Sequence, residues 1–505
     1  MLFSSPEFIF VFLPVAVILH FTLARVSINA AVVGTTLSSL IFYAWWNPPF
    51  VVLPIISIVV NFYLAYHIVR SERSTAKTLL VLGIVANILV LCHYKYSDFL
   101  LSIVDGHKAA PPNVPLALSF TTFVQIAFLV HVHKRKLSPD FQRYALFVAF
   151  FPHLIAGPIV RWSNLGHQLS DAARYRLDWG NVALGLTVFT FGLAKKVLLA
   201  DQLSPYVGEL FDAAARGEPV TAAAAWGASV AFTAQIFFDF SGYSDMAVGL
   251  GLLFNFKLPI NFAAPLRAQS IADLWRRWHI TLSRLARDLI YVPLCVGRTG
   301  ELRRSAALML TMVVIGVWHG AGWTFVIWGA YNGVLLLIFQ LWQAFRGVGR
   351  RSAAGRFCGW ALTFATFCVG AVFFRAPDIE TAWHVIQAMF GFGDATVAPS
   401  ITHPLDDWGV RHGYLSGTFV RTLFGANWSM VATLWTIAVT AVMLFVPDTM
   451  ELVDYREGDA QSDWRRSLGN LAWRPSPAAL CVTAALFAVT FLQLGRVSEF
   501  LYYQF

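Results

Sequence analysis

Long apolar runs separated by short polar loops dominate the chain. Segments 8–22, 29–46, 50–69, 78–94, 114–131, 182–200, 221–238, 357–374, 429–446 and 477–494 are apolar, at or near the length of about 20 residues that a helix needs to cross a bilayer. The pattern predicts an all-α polytopic integral membrane protein. Two stretches depart from it. Phe151–Arg161 is apolar but short, and Pro152, Gly157 and Pro158 interrupt it. It reads as a re-entrant or discontinuous element, which membrane depth tolerates only where protein or a cavity covers the backbone. Residues 257–304 are rich in arginine (Arg267, Arg276, Arg277, Arg284, Arg287, Arg298, Arg303, Arg304) and read as interfacial helices lying along the cytoplasmic face.

Composition agrees. Of 505 residues, 57% are hydrophobic and 13% charged, where soluble domains carry about 25% charged residues. The net charge of +9 is not a nucleic-acid signal, because the basic residues sit in short loops. Arg25, residues 70–77 and residues 133–143 punctuate alternate loops and by the positive-inside rule are cytoplasmic. The N-terminus and the loops near Asn47–Pro49 and Ser97–Pro112 then face outward. Met1–Pro6 lacks a basic region, so the first apolar segment reads as a retained helix and not a cleaved signal. Residues 376–428 carry His384, His403, Asp406, Asp407, His412 and Arg421 and are expected on the outer face. The charged stretch 448–476 returns to the cytoplasm. No linker or soluble domain stands out, so 1–505 reads as one transmembrane domain. Five scattered cysteines form no Cys-x-x-Cys pair and suggest neither a metal site nor a disulfide framework.

The pattern gives His319 unusual weight. It lies within Val313–Gly329, with apolar helix-length sequence on both sides. An ionisable side chain inside a bilayer is costly and marks a functional site by default. Arg303–Arg304 and Arg346–Arg351 bracket the region, so both ends are expected in the cytoplasm, with a hairpin reversing near Gly320–Gly322. Residues 305–318 rise roughly 21 Å as a helix, against a bilayer core about 30 Å thick. His319 is thus expected well inside the membrane. It suits a general base acting on a hydroxyl, with Trp318 and Trp323 flanking it; an interhelical hydrogen-bonding histidine is the plainer reading.

Three further constellations carry candidate chemistry. Trp275, Arg276, Arg277, Trp278 and His279 run together; helical spacing would cluster Trp275, Trp278 and His279 on one face. They either orient substrate near His319 or form an aromatic and basic interfacial helix. Asp239, Ser241, Tyr243 and Asp245 lie in Phe237–Asp245 between apolar segments, as a polar network lining a tunnel or as a structural knot at a helix break. His153 and Arg161 bracket the broken Pro-Gly-Pro segment, lining a cavity or packing. Walker A, Gly-x-Ser-x-Gly, His-Glu-x-x-His and dinucleotide patterns are missing from the sequence. Without an internal repeat and with few intramembrane carboxylates, a proton-coupled transporter or flippase is the weaker reading from a different class.

The motifs together resemble one family. They are Phe150–Arg161, Phe238–Ala247, Leu258–Pro265 (which contains Asn261), Trp275–Ser283, Val317–Phe325, Val372–Ala376 and the terminal Glu499–Phe505. They occur in order along nearly the whole chain, which resembles the membrane-bound O-acyltransferase (MBOAT) family, most of all the bacterial branch that acetylates alginate. The resemblance implies a fold of about 11–14 membrane helices, re-entrant and interfacial ones included, around a central tunnel. It implies that His319 is the catalytic histidine and His279 the second signature histidine. It implies a multi-pass protein of the bacterial inner membrane that needs no metal and binds no cofactor. Acyl-CoA (acetyl-CoA) or an acyl carrier protein's thioester is the expected donor, an outer-face partner protein the expected relay, and an exported polysaccharide the expected acceptor. Peptidoglycan O-acetylation and teichoic acid D-alanylation are the competing readings.

Overall fold

The computed structural model describes residues 1–106, 114–135, 137, 140–297, 300–346, 352–392, 429–455 and 473–494. Among them every regular element is helical. Among the described residues, six helices are long and apolar enough to cross a membrane: Phe8–Val26, Pro48–Arg70, Arg73–Asp105, Trp179–Ala215, Trp323–Arg346 and Ala353–Arg375. Ile28–Ala44, Met430–Phe445 and Pro477–Leu492 are shorter apolar helices. Arg298, Arg350, Arg351, the polar stretch 393–428 with His403, Asp406, Asp407, His412 and Arg421, residues 456–472 and the terminal 499–505 motif lie outside the described residues.

The chain forms two compact units. The first comprises Met1–Ala194, Gly242–Asn261 and Thr449–Gly495. Its core is aromatic: Phe42 and Phe151 have ring centroids 5.3 Å apart, and Phe3 packs on Phe42 at 5.6 Å. Helices Val52–Arg70, Arg73–Leu91 and Leu118–Arg135 are also tied by buried amides. Asn87 Nδ2 donates to Asn61 Oδ1 at 2.7 Å, and Ser57 Oγ donates to Gln125 Oε1 at 3.0 Å. Such bonds join helices where lipid offers no hydrophobic driving force.

The second unit comprises Lys195–Ser241, Phe262–Asp448 and Arg496–Phe505. Helix Ala222–Leu253 gives it its first part. Trp226 Nε1 donates to the Met389 carbonyl at 2.9 Å, and Ser229 Oγ to the Cys368 carbonyl at 2.6 Å. These bonds tie that helix to Ala353–Arg375 and Ile379–Met389. Glu301–His319 and Trp323–Arg346 form the expected hairpin, reversing through Gly320–Gly322. Their backbones touch: a Cβ on Gly316 would lie 2.3 Å from the Phe325 carbonyl oxygen, and one on Gly329 2.6 Å from that of Met312. Only glycine allows that approach, and it fixes the register that puts His319 at the end of its helix.

A buried ion cluster fixes the same unit. Lys196 Nζ lies 2.7 Å from Asp201 Oδ1 and 2.7 Å from Asp239 Oδ1. Its neighbour Lys195 pairs with Asp448 at 2.6 Å. Charges this deep persist only when paired. Helix Ala222–Leu253 also corrects an expectation. The polar motif Phe237–Asp245 does not sit at a helix break; it lies inside one uninterrupted helix. In an apolar surround the backbone keeps its own hydrogen bonds, and the ion pair to Lys196 satisfies Asp239 without unwinding it.

Candidate active site

His319 is buried as the last residue of its helix. Three rings enclose it: Trp318 at 4.8 Å, Phe374 at 5.1 Å and Trp328 at 5.2 Å between centroids. Trp328 and Phe374 meet at 5.4 Å and close the box. The imidazole is thus held by apolar faces contributed by both arms of the hairpin and by helix Ala353–Arg375.

His279 is fully buried and reaches the same box. Its ring lies 6.1 Å from that of Trp318, and on another side it stands edge-on to Phe240 at 4.7 Å and 87°. Trp318 therefore contacts both histidines. His279 lies in none of the six helices long and apolar enough to cross a membrane, and burial holds its imidazole well below the ordinary histidine range.

The local backbone differs from the expected single helix. Helix Ile271–Arg277 ends before Trp278, and His279 adopts the left-handed conformation, φ 42° and ψ 54°, before Ile280–Ala286 begins. A non-glycine residue there is strained and is retained where its surroundings demand it. Trp275, Trp278 and His279 consequently do not share one helical face. Trp278 instead packs on Phe262 at 5.1 Å and Phe367 at 5.0 Å. Trp275 meets Trp328 at 5.8 Å, next to His319.

The remaining candidates fall in both units. Arg276 and Arg277 both pair with Asp273, at 3.6 Å and 3.1 Å, and the Arg276 side chain is exposed. Trp323 is 52% exposed. Asp239 belongs to the ion cluster, and Ser241 is buried two residues further along the same helix. Tyr243, Asp245, Asn261, His153 and Arg161 belong to the first unit. There Tyr243 stacks on Phe3 at 4.7 Å, Asn261 Nδ2 donates to Ser244 Oγ at 3.2 Å, and Asp245 is buried. His153 is buried in the short helix Phe151–Leu154, and the Arg161 N–H donates to Asn164 Oδ1 at 3.2 Å, starting helix Trp162–Ser170. Sequence reasoning missed Trp328, Phe374, Phe240, Lys196 and Asp201. An apolar ring in an apolar helix carries no local signal, but the lysine pair Lys195–Lys196 within a membrane-length apolar run was one.

Comparison with known proteins places this all-helical membrane protein in a family. The profile of the membrane-bound O-acyltransferase family matches residues 33–350. The chain belongs to the membrane-bound O-acyltransferase family. It is 39% identical over 433 residues to a peptidoglycan O-acetyltransferase of Helicobacter pylori, covering 79% of this chain and 81% of that one. It is 34% identical to a probable alginate O-acetylase of Azotobacter vinelandii, over the full length of both. A teichoic acid D-alanyltransferase of Bacillus subtilis is 24% identical over 298 residues, 57% of this chain and 73% of that one. Family membership makes the protein a membrane-bound O-acyltransferase, and its bacterial relatives and multi-spanning helices make it a protein of the bacterial inner membrane.

Proposed function

We propose that the protein moves an acetyl group from a cytoplasmic thioester to an outer-face acceptor, for O-acetylation of an exported polysaccharide. The observation that carries this reading is the shared box: His319 and His279, far apart in sequence, both pack on Trp318. Acetyl-CoA or an acyl carrier protein supplies the thioester. Arg276 and Arg287 expose their guanidinium groups and offer the cationic surface that a phosphorylated donor needs. His319 takes the proton of the acceptor hydroxyl as its oxygen bonds to the acyl carbon. The C–S bond then breaks, and the proton passes to the leaving thiolate. His279, neutral and fixed, positions the donor. An outer-face partner protein carries the acetyl group onward to the polymer.

Full-length similarity to alginate O-acetylases favours an exported polysaccharide. Peptidoglycan is the second reading, favoured by the 39% identity to the Helicobacter pylori protein. The test compares ester-linked acetate on secreted polysaccharide and on purified peptidoglycan from cells with and without the gene. Loss from the secreted polysaccharide alone is expected. Loss from peptidoglycan alone selects the second reading, and no loss from either refutes acetyl transfer.

A further inference from the structure

Trp275 carries a buried hydrogen-bond donor that no described residue accepts. It is 9% exposed, and its indole Nε1 meets no hydrogen-bond acceptor among the described residues. Buried tryptophans ordinarily place this N–H on a partner. Two others in the same unit do so: Trp226 bonds the Met389 carbonyl and Trp360 the Leu266 carbonyl, at 2.9 and 3.0 Å. Trp275 differs from them in its neighbourhood. Its ring stands 5.8 Å from Trp328, at 73°, and Trp328 stands 5.2 Å from His319, at 87°. That donor is therefore one ring away from the buried imidazole.

Its mounting is rigid. Ser270 Oγ accepts the Asp273 N–H at 3.2 Å and caps helix Ile271–Arg277, while Arg277 Nε donates to Asp273 Oδ1 at 3.1 Å along the same helix. The Arg277 carbonyl accepts the Ala263 N–H at 3.0 Å. An indole N–H donates and cannot accept, so it can serve only an electron-rich atom. In acyl transfer from a thioester, the acceptor oxygen forms a bond to the acyl carbon and the carbonyl π electrons move onto the carbonyl oxygen. That oxygen gains the charge until the C–S bond breaks and the C=O bond re-forms. The imidazole is occupied with the hydroxyl proton, which ends on the thiolate. The carbonyl oxygen thus needs a donor, and a preorganised one in a dry site is an effective stabiliser.

We infer that the Trp275 indole N–H donates to the thioester carbonyl oxygen as it becomes an oxyanion, which makes Trp275 a catalytic residue beside His319. This rests on the acyl-transfer reading above. The test uses inverted membrane vesicles from the native host, supplied with radiolabelled acetyl-CoA, and follows ester-linked label. Trp275→Phe keeps a ring and removes the N–H. Turnover at saturating acetyl-CoA is expected to fall roughly 10²-fold, with the KM for acetyl-CoA within about 3-fold of wild type. Should Trp275→Phe fail to accumulate, replacement by β-(3-benzothienyl)alanine, which keeps the bicyclic shape and exchanges N–H for sulfur, gives the same readout. Turnover within about 3-fold of wild type in either variant, while His319→Ala is inert, overturns the inference and leaves the acyl-transfer reading standing. A fall confined to KM overturns it too. Wild-type vesicles inert with both acetyl-CoA and an acetylated acyl carrier protein refute the acyl-transfer reading and the inference with it.

Discussion

His279 meets Trp318 with ring centroids 6.1 Å apart and planes at 55°. Trp318 in turn lies 4.8 Å from His319, so a single indole sets the spacing of the two histidines. Replacing it by leucine removes a wall from both. Acyl transfer by Trp318→Leu is expected to fall about 10- to 10²-fold, since small misplacements of reacting groups are costly, while Trp318→Phe retains more. Rates in membranes of matched protein content check this. Equal rates for both variants and wild type would show that the ring is mere packing.

The ion cluster sets the stability of the second unit. Lys196 bridges two carboxylates, Asp201 and Asp239, at 2.7 Å each. Lys196→Met removes the cation that bridges both and is expected to cost about 3–5 kcal/mol, read as a lower unfolding temperature in detergent. Adding Asp201→Asn and Asp239→Asn to it removes both carboxylate charges and is expected to recover most of the loss.

The hairpin tolerates no side chain at its crossing. Gly329→Val would push a Cβ into the Met312 carbonyl, 2.6 Å away. A stability loss of about 1–3 kcal/mol is expected from overpacking of this kind, with a matching fall in membrane abundance. Gly297, whose Cβ would meet nothing within 4 Å but whose φ is +91°, is the contrasting site: its cost is conformational and is expected to shrink with asparagine.

Acid should weaken the fold through His279. Burial lowers its pKa in the folded state, so below about pH 6.5 the unfolded chain binds a proton that the folded one refuses. Its contribution to stability is complete above that pH and declines as pH falls toward the folded pKa, by up to about 1.4 kcal/mol per pH unit. Its ring neighbours, Phe240 and Trp318, offer no compensating charge. His279→Gln is expected to flatten the fall in unfolding temperature between pH 7.5 and 5. An unchanged slope would place the acid sensitivity elsewhere.

Much of this was legible in the sequence, because membrane helices announce themselves by long apolar runs, and charged brackets with paired glycines define a hairpin. His319 stood out because a histidine in such a run is costly. The break at His279 was not legible: Trp275–Ser283 has helix-compatible residues throughout, and only tertiary packing selects the left-handed backbone there. The same holds for Phe240, Trp328 and Phe374, whose roles arise from which helices meet. Asp239 was singled out, but its partner Lys196 lies on another helix, beyond the reach of local pattern.

The central claim is that His319 is the base for acyl transfer. The most direct test is ester-linked acetate on the acceptor polymer in cells lacking the gene, complemented with wild type or His319→Ala at equal membrane abundance. The account predicts full restoration by wild type and a loss of roughly 10²-fold or more with the variant. Full restoration by His319→Ala would contradict it and leave this histidine a packing residue.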